Sequence, residues 1–106
     1  MRGDVVVVDF PFTDLRTAKR RPALLVKVVD SEDVILCQIT SQLKFDSFSI
    51  KLSNEDFETG SLHKDSFIRP NRIFTLHQNL ILKKVGTLKT EQMALILRNI
   101  LSFLEA

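Results

Sequence analysis

The chain has 106 residues, 44% of them hydrophobic and 26% charged, and carries a formal net charge of +2. This size and composition favour one globular domain over residues 1–106, and they exclude a disordered chain or a separate cofactor-binding domain. The single cysteine, Cys37, excludes an internal disulfide and fits a reducing cytoplasm, where we expect the protein to be located.

The first part of the chain predicts three strands. Residues 5–10 are β-branched and apolar, and the aspartates around the valines favour a strand over a secretory signal. Residues 23–29 and 34–40 are apolar runs joined by the acidic residues 30–33, so they predict a hairpin. No segment approaches the roughly 18 unbroken apolar residues of a membrane helix, so we expect no membrane association.

The second part predicts further short strands. Residues 47–52 alternate between apolar and polar, which is typical of a strand. A short strand at 66–69 is expected to end at Pro70, and 72–76 predicts another. Residues 80–88 predict a strand, with or without a helical turn before it.

A C-terminal helix is predicted after Thr90, which suits an N-cap, with Glu91 in the first turn. Many short strands followed by one helix indicate a mainly β (α+β) protein with a small, strongly bent antiparallel sheet or barrel. The apolar stripe of the helix is expected to pack against this barrel, with part of it available to a second subunit; it comprises Met93, Ile96, Leu97, Ile100, Phe103 and Leu104.

Metal and cofactor sites are not predicted. Cys37, His63 and His77 are far apart in sequence, and no pair has the spacing of a zinc site. The three glycines form no phosphate-binding loop, and no nucleophile elbow is present.

A basic segment precedes the second strand. Arg16, Lys19, Arg20 and Arg21 fall within six residues that contain no acid, and guanidinium groups bind phosphate through charge-assisted hydrogen bonds. A solvated charge run is the alternative interpretation. We therefore name Arg16, Lys19 and Arg20 as candidate phosphate-binding residues.

Arg21 differs from its neighbours because it precedes Pro22, which restricts its backbone to an extended conformation. Thr40 ends the third predicted strand, so a hairpin would place Thr40 near Arg21. A guanidinium that stabilises developing charge and a hydroxyl that positions a phosphate oxygen would suit phosphodiester chemistry.

A second Arg-Pro pair occurs at residues 69–72. Arg69, Asn71 and Arg72 there form a second candidate phosphate-binding corner, unless they are solvated surface residues. His63 and His77 are expected to be surface residues.

Five segments together resemble the MazF/PemK (Kid) family of toxins. They cover nearly the whole chain in order: residues 3–14 (GDVVVVDFPFTD), 19–24 (KRRPAL), 37–41 (CQITS), 67–76 (FIRPNRIFTL) and 80–88 (LILKKVGTL).

The resemblance implies an SH3-like barrel with appended helices that acts as a homodimer. It implies a type II toxin that cleaves single-stranded RNA without metal or cofactor, leaving 2′,3′-cyclic phosphate and 5′-hydroxyl ends. A cognate antitoxin with a disordered tail would block the RNA groove, and DNA would be reached only through that antitoxin.

The resemblance also assigns residues. Arg21 matches the family's catalytic arginine, Thr40 its catalytic threonine, and Arg69 an arginine used in the PemK branch. That branch has an aspartate where this chain has Asn71, and an amide cannot take up a proton near pH 7. We therefore expect Arg21 to stabilise the transition state and relay a proton while Thr40 holds a phosphate oxygen.

Two other functions remain open from the sequence. The related CcdB toxins resemble this fold but poison DNA gyrase, and fold does not determine function. The second alternative is a family member that binds RNA or antitoxin without cleaving RNA, and the presence of Asn71 is the main argument for it. The RNA recognition sequence cannot be derived.

Overall fold

The computed structural model describes residues 1–9, 20–42 and 46–106. These parts form seven strands and one α-helix, with a 3₁₀ turn at Asn54–Asp56 and another at Gln78–Leu80. In chain order the elements are β1 (Asp4–Asp9), β2 (Arg20–Val28), β3 (Asp33–Thr40), β4 (Ile50–Leu52), β5 (Phe57–Gly60), β6 (Ser66–His77), β7 (Ile81–Leu88) and α1 (Thr90–Glu105).

All seven strands belong to one antiparallel sheet in the order β4-β6-β3-β2-β1-β7-β5. The predicted hairpin of β2 and β3 is confirmed, and Asp30 closes its turn by accepting hydrogen bonds from the backbone N–H groups of Glu32 and Asp33 at 2.8 and 2.7 Å. These bonds stabilise the carboxylate and lower the pKa of Asp30.

Both faces of the central strands are buried. Val5 and Leu24 face a core shared with α1, whereas their neighbours Val6 and Ala23 face a second core on the other side of the sheet. We call these the helix-side core and the opposite core. The described residues extend over 32 × 31 × 30 Å, which is too thick for a flat sheet under one helix, so the sheet curls around the opposite core. The predicted strongly bent sheet with a C-terminal helix is confirmed.

The C-terminal helix covers the helix-side core with Met93, Ile96 and Ile100. Thr90 is the first helical residue and Lys89 is the cap, because the Lys89 carbonyl already accepts a hydrogen bond from Met93 N–H at 2.9 Å. The predicted Thr90 cap is therefore one residue late. Leu104, placed on the buried stripe by its spacing, is 57% exposed because it lies in the last turn, beyond the sheet.

Two strand predictions are wrong in extent. Pro70 does not end a strand: it is buried inside β6, where residues 69–72 bulge out of the ladder opposite Gln38. Because the bulge suspends regular pairing, the missing N–H of proline costs no ladder hydrogen bond. The predicted strand at 47–52 begins only at Ile50, because Ser49 N–H donates to Asp46 at 2.8 Å and closes a bend. β5 was not predicted, since only Phe57 of its four residues is buried.

Replacing Ile100 by alanine is expected to destabilise the protein by about 2–5 kcal/mol, because the side chain is 2% exposed and its removal leaves a cavity between α1 and the sheet. Urea unfolding followed by circular dichroism measures the change. Leu101→Ala is the matched control, since Leu101 is 48% exposed and its loss is expected to cost less than about 0.5 kcal/mol. Equal losses for the two variants would contradict this packing.

Candidate functional site

Arg21 and Thr40 lie at the same end of the sheet. Arg21 pairs with Val8 of β1, and the β2–β3 ladder begins at Ala23 and Gln38. Extending that register by two residues leads to Arg21 on β2 and Thr40 on β3. Because alternate strand residues share a face, both side chains lie on the face of the opposite core. The two residues that the sequence predicted to be neighbours therefore share one end and one face of the sheet.

Both side chains have a hydrogen-bond donor with no partner among residues 1–9, 20–42 and 46–106. Arg21 is half-buried, and its Nε is buried with no hydrogen-bond partner among the described residues. Thr40 is 5% exposed, and its Oγ1 accepts a hydrogen bond from Gln42 N–H at 3.2 Å, which leaves the hydroxyl proton available. A buried donor without an acceptor costs about 1–3 kcal/mol, and an anionic ligand would supply the missing acceptor. The pair has the chemistry of an anion site.

Arg69 is engaged in several contacts within the chain. Its side chain is 13% exposed, and its Nη2 lies 3.7 Å from Asp46 Oδ2. Its Nε donates to Asn71 Oδ1 at 3.2 Å, and the guanidinium lies 5.9 Å from the centre of the Phe48 ring. The amide of Asn71 is thus an acceptor for Arg69.

Asp46 is the carboxylate that neutralises Arg69. Ser49 lies next to this carboxylate with its hydroxyl and its backbone N–H, and the Arg69 guanidinium is close by. These groups favour the ionised form and lower the pKa of Asp46. Sequence analysis did not identify Asp46, because it precedes Arg69 by 23 residues and no local pattern links them.

The ring beneath Arg69 connects this arginine to the C-terminal helix. Phe48, which lies under the Arg69 guanidinium, packs against Phe103 of α1 with ring centres 4.9 Å apart. Arg69 is thereby linked to α1 through Phe48. No hydrogen bond, ion pair or ring contact joins Arg69 to the Arg21–Thr40 pair in the described parts of the chain.

Cys37 fixes the bulge from inside. The thiol is fully buried, and its Sγ donates to the Arg69 carbonyl at 2.9 Å. A carbonyl displaced from the ladder thus keeps a partner, as buried polar groups require. Burial raises the pKa of Cys37 from 9.0 to about 12. The Cys37 thiol therefore has a structural contact at the candidate phosphate-binding corner.

The remaining predicted residues are distributed as follows. Arg16 and Lys19 lie outside the described residues. Arg20 is exposed, with its Nε 3.8 Å from Asp9 Oδ1, and Arg72 is exposed. His63 is exposed as expected, whereas His77 is half-buried and accepts a hydrogen bond from Asn79 N–H at 3.1 Å, which caps the second 3₁₀ turn.

Within residues 1–9, 20–42 and 46–106, no three His, Cys, Asp or Glu side chains are grouped so as to hold a metal ion. In the same parts of the chain, no helix is long and apolar enough to cross a membrane.

Comparison with known proteins decides the family. A model of the family described as PemK-like, MazF-like toxin of type II toxin–antitoxin systems matches residues 1–104. The chain belongs to this toxin family. The resemblance stated from the sequence is therefore confirmed. A search of curated protein sequences found no match.

Solved structures of similar fold support the architecture of this family member. An endoribonuclease in complex with its cognate antitoxin from a mycobacterial species has a TM-score of 0.75 at 16% identity, covering 99% of this chain and 94% of the other. MazE–MazF from Deinococcus radiodurans has a TM-score of 0.73 at 19% identity, with 97% and 94% covered. The Mycobacterium tuberculosis toxin MazF-mt6 has a TM-score of 0.67 at 15% identity, with 93% and 96% covered.

Cys37 of this toxin is expected to resist alkylation in the folded state. With the pKa at about 12 instead of 9.0, the thiolate is about 10³-fold scarcer at neutral pH, and burial also blocks access. Iodoacetamide labelling followed by mass spectrometry at pH 8 measures the rate. The same protein unfolded in urea is the control and should be labelled rapidly, while equal rates in both states would contradict a buried thiol bonded to Arg69.

Proposed function

We propose that this toxin is a metal-independent endoribonuclease that cleaves single-stranded RNA, including mRNA, and thereby inhibits translation and growth. The observation that carries the proposal is that Arg21, whose Nε–H has no hydrogen-bond partner among the described residues, shares one end and one face of the sheet with Thr40. The family supports the toxin role, and several structures of the same fold are named as endoribonucleases.

In the proposed reaction, the RNA 2′-oxygen attacks the adjacent phosphorus and the bond from phosphorus to the 5′-oxygen breaks. The products are a 2′,3′-cyclic phosphate and a 5′-hydroxyl. Charge accumulates on the non-bridging oxygens, and donors already in place stabilise it without reorganisation. Arg21 supplies a guanidinium N–H, and the Thr40 hydroxyl donates a hydrogen bond to one of these oxygens.

The proton balance is closed by Arg21. Its guanidinium donates a proton to the departing 5′-oxygen as it receives the proton of the attacking 2′-hydroxyl, so no neutral guanidine accumulates. Asn71 cannot take the role of base, because an amide takes up no proton near pH 7. In this scheme the exposed Arg72 contacts a phosphate beside the cleaved one, and Arg69 and Asn71, which bond to each other, support that corner.

The proposed partners follow from the family and the fold. We propose a cognate antitoxin whose disordered tail folds over the RNA site, because related structures contain a cognate antitoxin or MazE. We also propose a cytoplasmic homodimer. The exposed leucines of α1 support a second subunit, since Leu95, Leu101 and Leu104 are 49%, 48% and 57% exposed.

The decisive experiment is cleavage of a long mixed-sequence RNA by purified protein in excess EDTA, with the new ends mapped. We expect cuts at one short recurring sequence that leave 5′-hydroxyl ends. Intact RNA at high protein concentration would contradict the enzymatic proposal and favour a toxin that binds without cleavage. Activity restored only by added metal would contradict metal independence.

Arg21→Ala is expected to lower the cleavage rate by about 10²–10³-fold, the effect of removing one preorganised donor from a developing oxyanion. Thr40→Val removes a second donor with little change of shape and is expected to act in the same direction, while Thr40→Ser keeps the hydroxyl and should retain activity. Single-turnover cleavage of a short RNA measures the rates, and circular dichroism checks the fold. Parental rates in folded Arg21→Ala would refute the assignment.

A further inference from the structure

A basic groove lies at the same end of the sheet, on the side of the helix. It consists of two adjoining cavities of about 370 and 470 Å³, which share Val7 and Lys83 as lining residues. Pro22 and Ser41 line the first cavity, and they are the chain neighbours of Arg21 and Thr40. The groove and the candidate cleavage site are therefore back to back across the ends of the same strands.

The charge of the groove is positive and largely uncompensated. His63, Lys64 and Lys83 line the first cavity, and Arg20 lines the second with Lys83. No carboxylate is among the described residues that line either cavity. Arg20 has an acid nearby, but Asp9 is 3.8 Å away and both side chains are more than half exposed, so this ion pair is weak.

The close packing of β5 against β7 positions Lys64 and Lys83 at the groove. Gly60 ends β5 with a φ of +74°, and a Cβ there would lie 2.1 Å from the Val85 carbonyl oxygen. A Cβ on its partner Gly86 would lie 2.6 Å from the Thr59 carbonyl oxygen. The two strands can therefore approach this closely only because both positions are glycine. The loop that follows, residues 61–65, is thereby held against β7, which carries Lys83.

A buried hydroxyl fixes the end of this loop. Ser66 is 3% exposed and lines the cavity, and its Oγ donates to the Lys64 carbonyl at 2.9 Å. The backbone of Lys64 is thus tied to the first residue of β6. A charge held at a fixed position loses less entropy on binding than one on a free loop.

The lining fits a nucleic-acid backbone better than a folded protein surface. Val7, Pro22 and Val85 contribute apolar surface, and Ser41 and Ser66 contribute hydroxyls. Lysine ammonium groups and serine hydroxyls are groups with which proteins contact phosphate and sugar. No Phe lies among the described residues that line it, so contacts to phosphate and sugar should dominate over base stacking.

We propose that this basic groove binds the part of a single-stranded RNA that flanks the cleaved phosphate, with Lys64 and Lys83 contacting its phosphates. The inference rests on the proposed ribonuclease function and adds the path of the substrate: the strand passes from the Arg21–Thr40 pair, over the ends of β2 and β3, into the groove. An acidic segment of a protein partner is the competing occupant.

The test compares two double variants of equal charge. Lys64→Ala/Lys83→Ala removes the groove lysines, and Lys27→Ala/Lys51→Ala removes two lysines that do not line the groove. The probe is a fluorescent 2′-O-methyl RNA of mixed sequence, which cannot undergo attack by a 2′-hydroxyl. Fluorescence anisotropy at several salt concentrations gives Kd and its salt dependence, and circular dichroism checks both folds.

The groove variant is expected to bind the probe on the order of tenfold more weakly. The slope of log Kd against log salt should fall by about 1.4, or about 0.7 for each phosphate that a lysine no longer neutralises. The control variant should stay near the parental values. Equal affinities and slopes for the two variants would overturn the proposal, as would unchanged RNA binding with loss of binding to a poly-glutamate peptide.

Kinetics separate this inference from the proposed function. With a cleavable RNA, the groove variant should raise KM and largely retain kcat, whereas Arg21→Ala should lower kcat. If the parental protein cleaves no RNA, the ribonuclease proposal fails, yet the comparison of binding by the two double variants still tests the groove. If cleavage is normal and the groove variant keeps its KM, the groove proposal alone fails.

Discussion

The central strands carry apolar side chains on both faces, and burying both faces is the constraint on which the rest of the structure depends. Val5 and Val6 are consecutive in β1 yet lie in different cores, and both are almost completely buried. One helix covers only one face of a sheet. The other face is shielded because the sheet curls around it, which brings distant strands such as β6 and β7 to the same core.

Curling concentrates polar chemistry at the ends of the strands. In the middle of the sheet, an arginine or a hydroxyl would have to be buried without water, at a cost of several kcal/mol unless it were paired. At the start of β2 and the end of β3, Arg21 and Thr40 extend the face of the opposite core while they remain close to solvent. The same strand ends border the basic groove on the helix side, so both proposed sites lie at one end of these central strands.

The bulge in β6 shows how an irregularity directs a functional group. Four residues stand opposite Gln38, the buried Cys37 thiol satisfies a displaced carbonyl, and Pro70 fits where no ladder hydrogen bond is required. The bulge turns Arg69 towards Asp46 and Phe48. This arginine is therefore neutralised within the chain, whereas the Arg21 Nε–H has no partner among the described residues. Because of that difference, we propose that Arg21 stabilises the transition state.

The sequence by itself determined the elements whose signals are local. Runs of valine and leucine predict β1, β2 and β3, helical spacing predicts α1, and the acidic turn predicts the β2–β3 hairpin that makes Arg21 and Thr40 neighbours. The family motifs are equally local, since each is a short run of residues. Only the tertiary structure decided the continuity of β6 through Pro70, the pairing of Arg69 with Asp46, and the place of Lys64 and Lys83 along one groove. Each of these depends on residues far apart in the chain, and their contact arises from the curl of the sheet and its bulges, which no local periodicity records.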